Sequence, residues 1–311
     1  MKKILDYIFF LRPMLIMPAL TVIILGIRAA DLGEGASPFH IIPIAENIGD
    51  VLVLLLLSTL IGGAGFIYNQ IHDIESDRNN GKAFFLPEKM ISISTAYGMF
   101  AVLSLIGLVG AFSINTSLGF IFAIIICLGI LYSHPKINYK GKPGKALWSN
   151  MLGIGVLPFL IGWIYINDSI SLEAVLKSLP YFFAVGAVYL NTALPDREGD
   201  RKAGKQTYAV IWKVPRLQLS ALMRMITATI FAWMAGDVVM FISSLLSLPF
   251  YIRAVYTKMI AHSVLATKIS ILILSVFACI YFPPYIAIIL LDILGTRLYY
   301  RWRFNLAYPK I

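Results

Sequence analysis

The chain has 311 residues, of which 59% are hydrophobic and only 14% are charged, and its mean hydropathy is +0.80. A soluble domain carries roughly a quarter charged residues, and a water-soluble protein of this size could not bury so much apolar surface. The composition therefore predicts an integral membrane protein and excludes a soluble enzyme or a nucleic-acid-binding protein. Both cysteines, Cys127 and Cys279, lie in apolar stretches, so we expect neither a disulfide framework nor a metal cluster.

Apolar stretches long enough to cross a bilayer, about 20 residues each, recur along the chain. They cover residues 9–28, 50–69, 94–112, 117–133, 147–166, 174–193, 218–235, 238–256 and 268–299. We therefore expect an all-α bundle of about nine transmembrane helices in one domain, residues 1–311. The last stretch is too long for one ordinary span and contains Pro283-Pro284, so it is either one kinked helix or two pieces that cross twice.

Positive charge alternates along the connectors between these stretches, and the formal net charge is +10. Lys and Arg concentrate in the second, fourth, sixth and eighth connectors, whereas the odd connectors are acidic or nearly uncharged. Because cytoplasmic connectors carry the excess of Lys and Arg, the amino terminus and the even connectors are predicted to face the cytoplasm, at the cell membrane. The basic residues Arg297, Arg301 and Arg303 would obey this rule only if the last stretch crosses twice.

Two acidic clusters follow even-numbered spans. Asn69, Asp73 and Asp77 are spaced four residues apart after the second span, and Asp196 and Asp200 repeat this spacing after the sixth. If the second helix continues into its connector, its three residues share one helical face, and the predicted topology puts both clusters at the same membrane face. Carboxylate pairs of this kind persist where a cation lies between them. Oxygen ligands suit Mg²⁺, which one or two carboxylates usually hold together with substrate phosphates.

Basic and polar residues surround both clusters. These are Arg78 and Lys82 after the first, Arg201, Lys202 and Lys205 after the second, and Tyr132 and Lys136 at the end of the fourth span. Because Arg and Lys bind phosphate oxygens, this mixture of acid and base predicts a site for a metal–diphosphate complex. Either aspartate pair alone is equally typical of a solvated helix end, and the coincidence of the three elements at one face favours the site.

Other polar residues divide into two groups. Arg12, Asn150 and Asn191 lie near the ends of spans, where polar groups are costly, and each is therefore a functional candidate. The remaining connector lysines are interpreted as ordinary cytoplasmic charges. They are Lys140, Lys142, Lys145 and Lys213.

At these residues the sequence resembles the UbiA-type superfamily of intramembrane prenyltransferases. The family patterns Asn-x3-Asp-x3-Asp, Tyr-x3-Lys and Asp-x3-Asp are matched by Asn69/Asp73/Asp77, Tyr132/Lys136 and Asp196/Asp200, and Leu11-Arg12-Pro13 is similar to the family's Arg-Pro element. The resemblance covers nearly the whole chain and implies nine transmembrane helices around a central cavity, in two similar halves. One departure is Lys82-Ala-Phe-Phe-Leu-Pro87, which lacks the arginines of quinone-precursor enzymes and is similar to the chlorophyll-synthase branch.

The resemblance implies an Mg²⁺-dependent prenyltransferase that moves a polyprenyl group from an allylic polyprenyl diphosphate to a small acceptor. The implied metal ligands are Asn69, Asp73, Asp77, Asp196 and Asp200. The implied diphosphate contacts are Asn69, Arg78, Lys82, Arg201 and Lys202, and Tyr132 and Lys136 join the four aspartates as catalytic residues. Weaker candidates for the acceptor are Arg12, Asn150 and Asn191. The acceptor itself is an aromatic quinone precursor, a glycerol-phosphate lipid or a tetrapyrrole.

Two other functions are compatible with the same residues. A membrane terpene cyclase would ionise the same diphosphate and close the chain on itself. An ion transporter would use the acidic residues as an ion path, but such a path needs acids at both faces, and the sequence places its acidic pairs at one.

Overall fold

The computed structural model describes residues 2–31, 44–79, 84–202 and 204–308. Regular structure within these ranges is entirely helical, as predicted. The first half contains α1 (Lys2–Phe10), α2 (Pro13–Asp31), α3 (Ile44–Ile71), α4 (Ile74–Asn79), α5 (Ile93–Ile114) and α6 (Thr116–Ser133). The second half contains α7 (Pro143–Asn150), α8 (Leu157–Asn167), α9 (Leu172–Thr192), α10 (Arg197–Lys202), α11 (Tyr208–Ile211), α12 (Val214–Met234), α13 (Val238–Thr257), α14 (Ile260–Tyr281) and α15 (Pro284–Phe304).

Nine helical units within the described ranges are long and apolar enough to cross a membrane. Eight are the single helices α2, α3, α5, α6, α9, α12, α13 and α14, and the ninth combines α7 and α8 through a π-helical turn, Met151–Val156. The predicted number of spans is confirmed, and so is the all-α class.

Helices α2 and α8 cross closely because each carries a glycine at the crossing. A Cβ atom at Gly26 would collide with the backbone carbonyl of Phe159, and one at Gly162 would collide with that of Ile23. Small residues allow this approach in membranes, where helix association depends on close van der Waals packing. The α2–α8 contact therefore forms a central wall of the bundle.

The second and sixth spans, α3 and α9, end in the same way. Each is followed by a six-residue helix, α4 or α10, that directly follows the first aspartate of its motif, Asp73 or Asp196. The carbonyl of that aspartate accepts a hydrogen bond from the N–H of the second, Asp77 at 2.7 Å or Asp200 at 2.8 Å. Aspartate is favoured directly before a helix. Helix α3 therefore stops at Ile71, so the condition under which Asn69, Asp73 and Asp77 were expected to share one helical face is not met.

The last apolar stretch forms two helices. Proline lacks a backbone N–H and fits the first turn of a helix, so α14 ends at Tyr281 and α15 begins at Pro284. The Tyr281 ring lies 4.7 Å from the guanidinium carbon of Arg28, near the end of α2. By contrast, Tyr299 of α15 stacks on Phe9 of α1 at 4.1 Å. Helix α15 therefore returns toward the end of the bundle where α1 lies, so the stretch forms two helices and not one kinked helix.

Asp6 fastens the end of α15 to α1. Its carboxylate is 5% exposed and accepts hydrogen bonds from the Tyr299 hydroxyl and from Arg303, whose Nε is 3.1 Å from Oδ1. Burial raises the pKa of Asp6, but the hydrogen bonds from Arg303 and Tyr299 outweigh it and leave this pKa below its ordinary value. The attachment is therefore ionic at neutral pH.

We expect Asp6→Asn to loosen α15, because it removes a charged hydrogen-bond acceptor worth about 1–3 kcal/mol, and so to accelerate tryptic cleavage at Arg297 and Arg301. Since the folded pKa is lowered, the attachment contributes fully above the unfolded pKa and is lost only as pH falls through the folded value. Wild-type α15 should therefore stay protected at pH 5. Lys3→Gln, an exposed change on the same helix, is the control. Equal cleavage of Asp6→Asn and wild type would contradict the attachment.

Candidate active site

The two acidic clusters meet at one end of the bundle. Lys205, in the loop after α10, places its Nζ 3.9 Å from Oδ1 of Asp73 and 3.8 Å from Oδ1 of Asp200. One ammonium group therefore contacts a carboxylate from each motif. The structure thus brings the two predicted clusters close enough to share a ligand.

A second lysine and a hydroxyl complete this polar cluster. Lys140, on the 3-10 turn Tyr139–Gly141 after α6, pairs with Asp73 at 2.9 Å. Thr207 donates a hydrogen bond of 3.3 Å from its hydroxyl to Oδ2 of Asp200. The interpretation of Lys140 as an ordinary connector charge was wrong, because its side chain neutralises a motif carboxylate.

The carboxylate of Asp77 is partly buried and lies near that of Asp73. Burial raises its pKa to about 6; the neighbouring Asp73 adds to this effect, while Arg12, Lys205 and Lys140 oppose it. The basic side chains nearby therefore do not fully offset the cost of burying an ionised Asp77. A bound divalent cation would add positive charge beside Asp77 and so lower the pKa of this carboxyl group.

The ligand chemistry of the cluster fits Mg²⁺ held jointly with a substrate. Among the residues that the structure describes, no three His, Cys, Asp or Glu side chains converge as a self-sufficient metal centre. Mg²⁺ commonly takes one or two carboxylates and completes its coordination with phosphate oxygens and water. The aspartates therefore suit a cation that binds together with a diphosphate. They do not suit a cation whose ligands must all come from the protein.

Two cavities open beneath the acidic clusters. Chamber one, of about 290 Å³, lies between α2, α3, α6 and the α7–α8 unit, with Arg12, Asn69 and Tyr132 in its wall. Chamber two, of about 390 Å³, lies among α2, α9, α12, α13 and α14, with Tyr189 and Thr192 in its wall. Away from these polar residues, the wall of chamber one is mostly aliphatic, and the wall of chamber two combines aliphatic side chains with several serines. The polar site thus lies above two apolar spaces.

Tyr132, in the wall of chamber one, lies beside Asn150, which belongs to the walls of both chambers. Its hydroxyl is within hydrogen-bonding reach of Asn150 and Tyr189 and lies close enough to Asp73 and Asp200 for electrostatic interaction. Beside it, Asn69 donates from Nδ2 to the Ser133 hydroxyl at 3.1 Å. Three predicted polar residues, Tyr132, Asn69 and Asn150, are therefore grouped with the acidic clusters.

Several predicted diphosphate contacts point elsewhere. Arg78 donates to the carbonyl of Pro87 at 3.2 Å, and Arg201 pairs with Glu198 on its own helix at 3.2 Å. Lys136 and Lys202 are exposed. Lys82 lies outside the described residues. Contact with a diphosphate would require Arg78 and Arg201 to change rotamer.

Two further predicted residues occupy less central positions. Asp196 is exposed at the turn before α10. Asn191 is 1% exposed and belongs to the wall of neither chamber, so its position gives no support for acceptor contact. By contrast, sequence reasoning missed Lys140, Thr207 and Tyr189 as site residues. Lys140 continues the four-residue spacing of Tyr132 and Lys136, which was the available signal.

The chain is similar to known membrane prenyltransferases. A model of the UbiA prenyltransferase family matches residues 41–261. The digeranylgeranylglyceryl phosphate synthase of Sulfurisphaera tokodaii is 27% identical over 175 residues, which are 56% of this chain and 60% of that protein. The 2-acyl-4-prenylphloroglucinol 6-prenyltransferase of Humulus lupulus is 26% identical over 214 residues, 65% of this chain and 50% of the relative. The chain thus spans about three fifths of the length of the synthase it matches.

Solved structures share the fold. A UbiA homologue from Archaeoglobus fulgidus, bound to GPP and Mg²⁺, has a TM-score of 0.66 at 18% identity and covers 89% of this chain and 99% of its own. A structure of digeranylgeranylglyceryl phosphate synthase has a TM-score of 0.67 at 20% identity, with 90% and 98% covered. Because the family model also covers more than half of the sequence, we conclude that this chain belongs to the UbiA prenyltransferase family.

Proposed function

We propose that this protein transfers a prenyl group from an allylic prenyl diphosphate to an acceptor at the site beneath Lys205. We further propose that Mg²⁺ is held there by Asp73, Asp77, Asp196 and Asp200, with Asn69 beside them. The charge pattern of the connectors supports a cytoplasmic location for this face. The proposal would make the even connectors the entry side for the diphosphate.

The observation that carries the proposal is the shared contact of Lys205 with Asp73 and Asp200. A cationic group already lies between the two motifs, directly above apolar chambers. A diphosphate with its cations would carry positive charge into the same position, while its hydrocarbon tail would enter a chamber. Few other ligands combine a strongly anionic head with a long apolar chain.

The reaction begins when the bond between C1 and oxygen of the donor breaks and its electron pair leaves with the diphosphate. When bound, Mg²⁺ would neutralise the charge that develops on this leaving group. Lys140 and Lys205 would exchange their carboxylate contacts for phosphate oxygens, and Arg12, which lies close enough to Asp77 for electrostatic interaction, adds a third cation. These fixed charges favour the separated state.

The acceptor then forms a bond to C1, through a ring carbon or a hydroxyl oxygen, and its proton passes to the departing diphosphate. Until that happens, the allylic cation must be kept from water. The apolar chamber walls below Tyr132 exclude water, and the Tyr132 ring offers an electron-rich face to a cation. Tyr132 is therefore assigned to cation protection.

Removal of divalent metal should abolish activity. Purified protein in nanodiscs, given a radiolabelled allylic diphosphate and an acceptor from each of the three classes, is expected to form prenylated product with Mg²⁺. With EDTA, the rate should fall by about 10²-fold or more because the leaving group loses its charge stabilisation. Excess Mg²⁺ should restore it. Transfer that continues unchanged in EDTA would refute the metal assignment.

Product analysis separates this proposal from its alternatives. Donor supplied without acceptor should be turned over only slowly by a transferase. Release of a cyclised hydrocarbon under these conditions would instead identify a terpene cyclase. Uptake of Mg²⁺ by reconstituted vesicles, with no prenyl transfer, would identify a transporter.

A further inference from the structure

Two imidazole rings lie side by side at the edge of the polar cluster that contains Asp73. His72, the residue after α3, directly precedes Asp73, and His134 is the residue that follows α6. Their ring centroids are 6.1 Å apart, and their planes are inclined by 56°. The two histidines belong to separate connectors, so only the fold brings them together.

The separation of the two rings suits a shared metal ion. Because a Zn–N bond is about 2.0–2.1 Å long and an imidazole centroid lies about 1.1 Å behind each ring nitrogen, one ion bound to both rings sets their centroids about 5–6.5 Å apart. The observed 6.1 Å lies within this range. The rings therefore need only a small rotation to share an ion.

Each histidine has a nitrogen available for a ligand. Nε2 of His72 is buried and has no hydrogen-bond partner within the residues that the structure describes, which is costly for a polar atom. Nδ1 of His134 accepts a hydrogen bond of 3.3 Å from the backbone N–H of Lys136. Nε2 of His134 is therefore the nitrogen that remains for a metal.

Aromatic side chains hold the ring of His72 in place. The ring of Tyr68 meets it edge-on at 4.7 Å between centroids, and that of Tyr97 does so at 6.5 Å. Groups that fix the orientation of a metal-binding imidazole strengthen the site. The packing of His72 thus gives the pair part of the rigidity that a metal site requires.

The charges around the pair are nearly balanced. Asp73 and Lys140 both lie close enough to His72 for electrostatic interaction, and their effects oppose each other. Because Lys140 is itself paired with Asp73 at 2.9 Å, its charge is largely compensated. A cation at the two rings therefore does not face an isolated positive charge.

We propose that His72 and His134 bind a zinc-type divalent cation, and that this cation inhibits the enzyme. Imidazole suits Zn²⁺ and Cu²⁺, whereas Mg²⁺ prefers oxygen ligands, so this site is chemically distinct from the aspartates. No third His, Cys, Asp or Glu converges with the pair in the described part of the chain, so water completes the coordination. The bound ion competes with Mg²⁺ for the negative charge of Asp73. The inhibition rests on the proposed function, but the binding does not.

Metal binding can be measured without any reaction. The probe is Cu²⁺, because a coordinated imidazole nitrogen splits its electron paramagnetic resonance signal. Wild type without a histidine tag, in nanodiscs with saturating Mg²⁺, is expected to show nitrogen splitting that added Zn²⁺ removes. His72→Gln and His134→Gln should each weaken binding at least about tenfold, since even changes to second-shell groups commonly cost about 10- to 100-fold in metal affinity. His262→Gln, whose ring contacts the Thr257 hydroxyl, is the matched control and should bind as wild type does.

Inhibition is measured on the same proteins at saturating Mg²⁺ and donor. Zn²⁺ should slow prenyl transfer by wild type and by His262→Gln at the same concentration. The concentration that halves the rate, relative to the zinc-free rate of each variant, should rise at least about tenfold in His72→Gln and in His134→Gln. Two separate histidine variants keep the test valid if one of them does not fold.

The possible failures are distinguishable. Equal Cu²⁺ binding by wild type and both histidine variants would overturn the site. If the variants lose Cu²⁺ but Zn²⁺ inhibits every protein at one concentration, zinc acts at the aspartates, and the inhibitory role fails while the proposed function stands. If wild type shows no Mg²⁺-dependent transfer to any acceptor, the proposed function fails, and the Cu²⁺ measurement alone decides whether the two histidines bind metal.

Discussion

Replacement of Asp73 or Asp196 by asparagine is expected to lower Mg²⁺-dependent prenyl transfer by about 10²- to 10³-fold, the usual loss when one preorganised electrostatic contact to a developing charge is removed. Asparagine retains the shape of aspartate and is equally favoured directly before a helix. It removes only the negative charge. The measurement is the initial rate with radiolabelled donor at saturating Mg²⁺.

The control for this experiment lies on α4, the short helix that follows Asp73. Glu75→Gln removes an exposed carboxylate two residues from Asp73, and we expect its activity to stay within about twofold of wild type because exposed charges contribute little. Higher Mg²⁺ should partly restore Asp73→Asn if the loss is in metal affinity. Full activity of either motif variant would refute the assignment of these carboxylates.

The second large effect is expected at the opposite end of the bundle. Asp237 lies 3.3 Å from Arg28 and accepts a 2.7 Å hydrogen bond from the hydroxyl of Tyr181. It also accepts from the backbone N–H of Met240 at the start of α13. Arg28 and Asp237 are 3% and 6% exposed. This buried pair connects α2 and α9 to the loop before α13.

We expect Asp237→Asn to lower the free energy of unfolding by about 3–5 kcal/mol, because it removes one charge of a buried ion pair. Thermal unfolding in detergent should show the loss. The double variant Arg28→Met/Asp237→Asn should be closer to wild type, since replacement of a whole buried pair is often neutral. The activity of the folded fraction should change little, because Arg28 lies about 24 Å along α2 from Arg12.

An exposed ion pair provides the matched control. Lys177 and Glu173 are 2.8 Å apart, and the Glu173 side chain is 61% exposed. Pairs of this kind contribute about 0–1 kcal/mol, so Glu173→Gln should leave the unfolding temperature almost unchanged. If Asp237→Asn and Glu173→Gln had equal effects, the buried pair would not stabilise the fold.

Much of the architecture follows from local sequence properties. Bilayer thickness fixes the length of an apolar span, so the nine spanning units could be counted from the sequence alone. The division between α14 and α15 was also visible at Pro283-Pro284. The direction in which α15 runs was not visible in the sequence. It depends on contacts of Tyr299 with Phe9 and Asp6, which lie almost 300 residues away in the chain.

The site was predictable to the extent that its residues repeat at four-residue intervals. That spacing identified the two acidic motifs, the first of which includes Asn69, and the separate pair Tyr132 and Lys136. The partners of the carboxylates were harder to identify, since Lys140 and Lys205 reach Asp73 from separate connectors. Composition rules treat such lysines as topological charges. Only packing of the connectors shows which of them face inward.

The position of Lys205 has a consequence for the order in which ligands bind. A free divalent ion would have to displace an ammonium group that already compensates Asp73 and Asp200, with no new partner for the displaced group. A donor that binds together with the ion supplies phosphate oxygens for Lys205, so that its displaced ammonium group keeps an anionic partner. Occupancy by metal and by donor should therefore be mutually reinforcing, and the resting enzyme should have little affinity for Mg²⁺ alone.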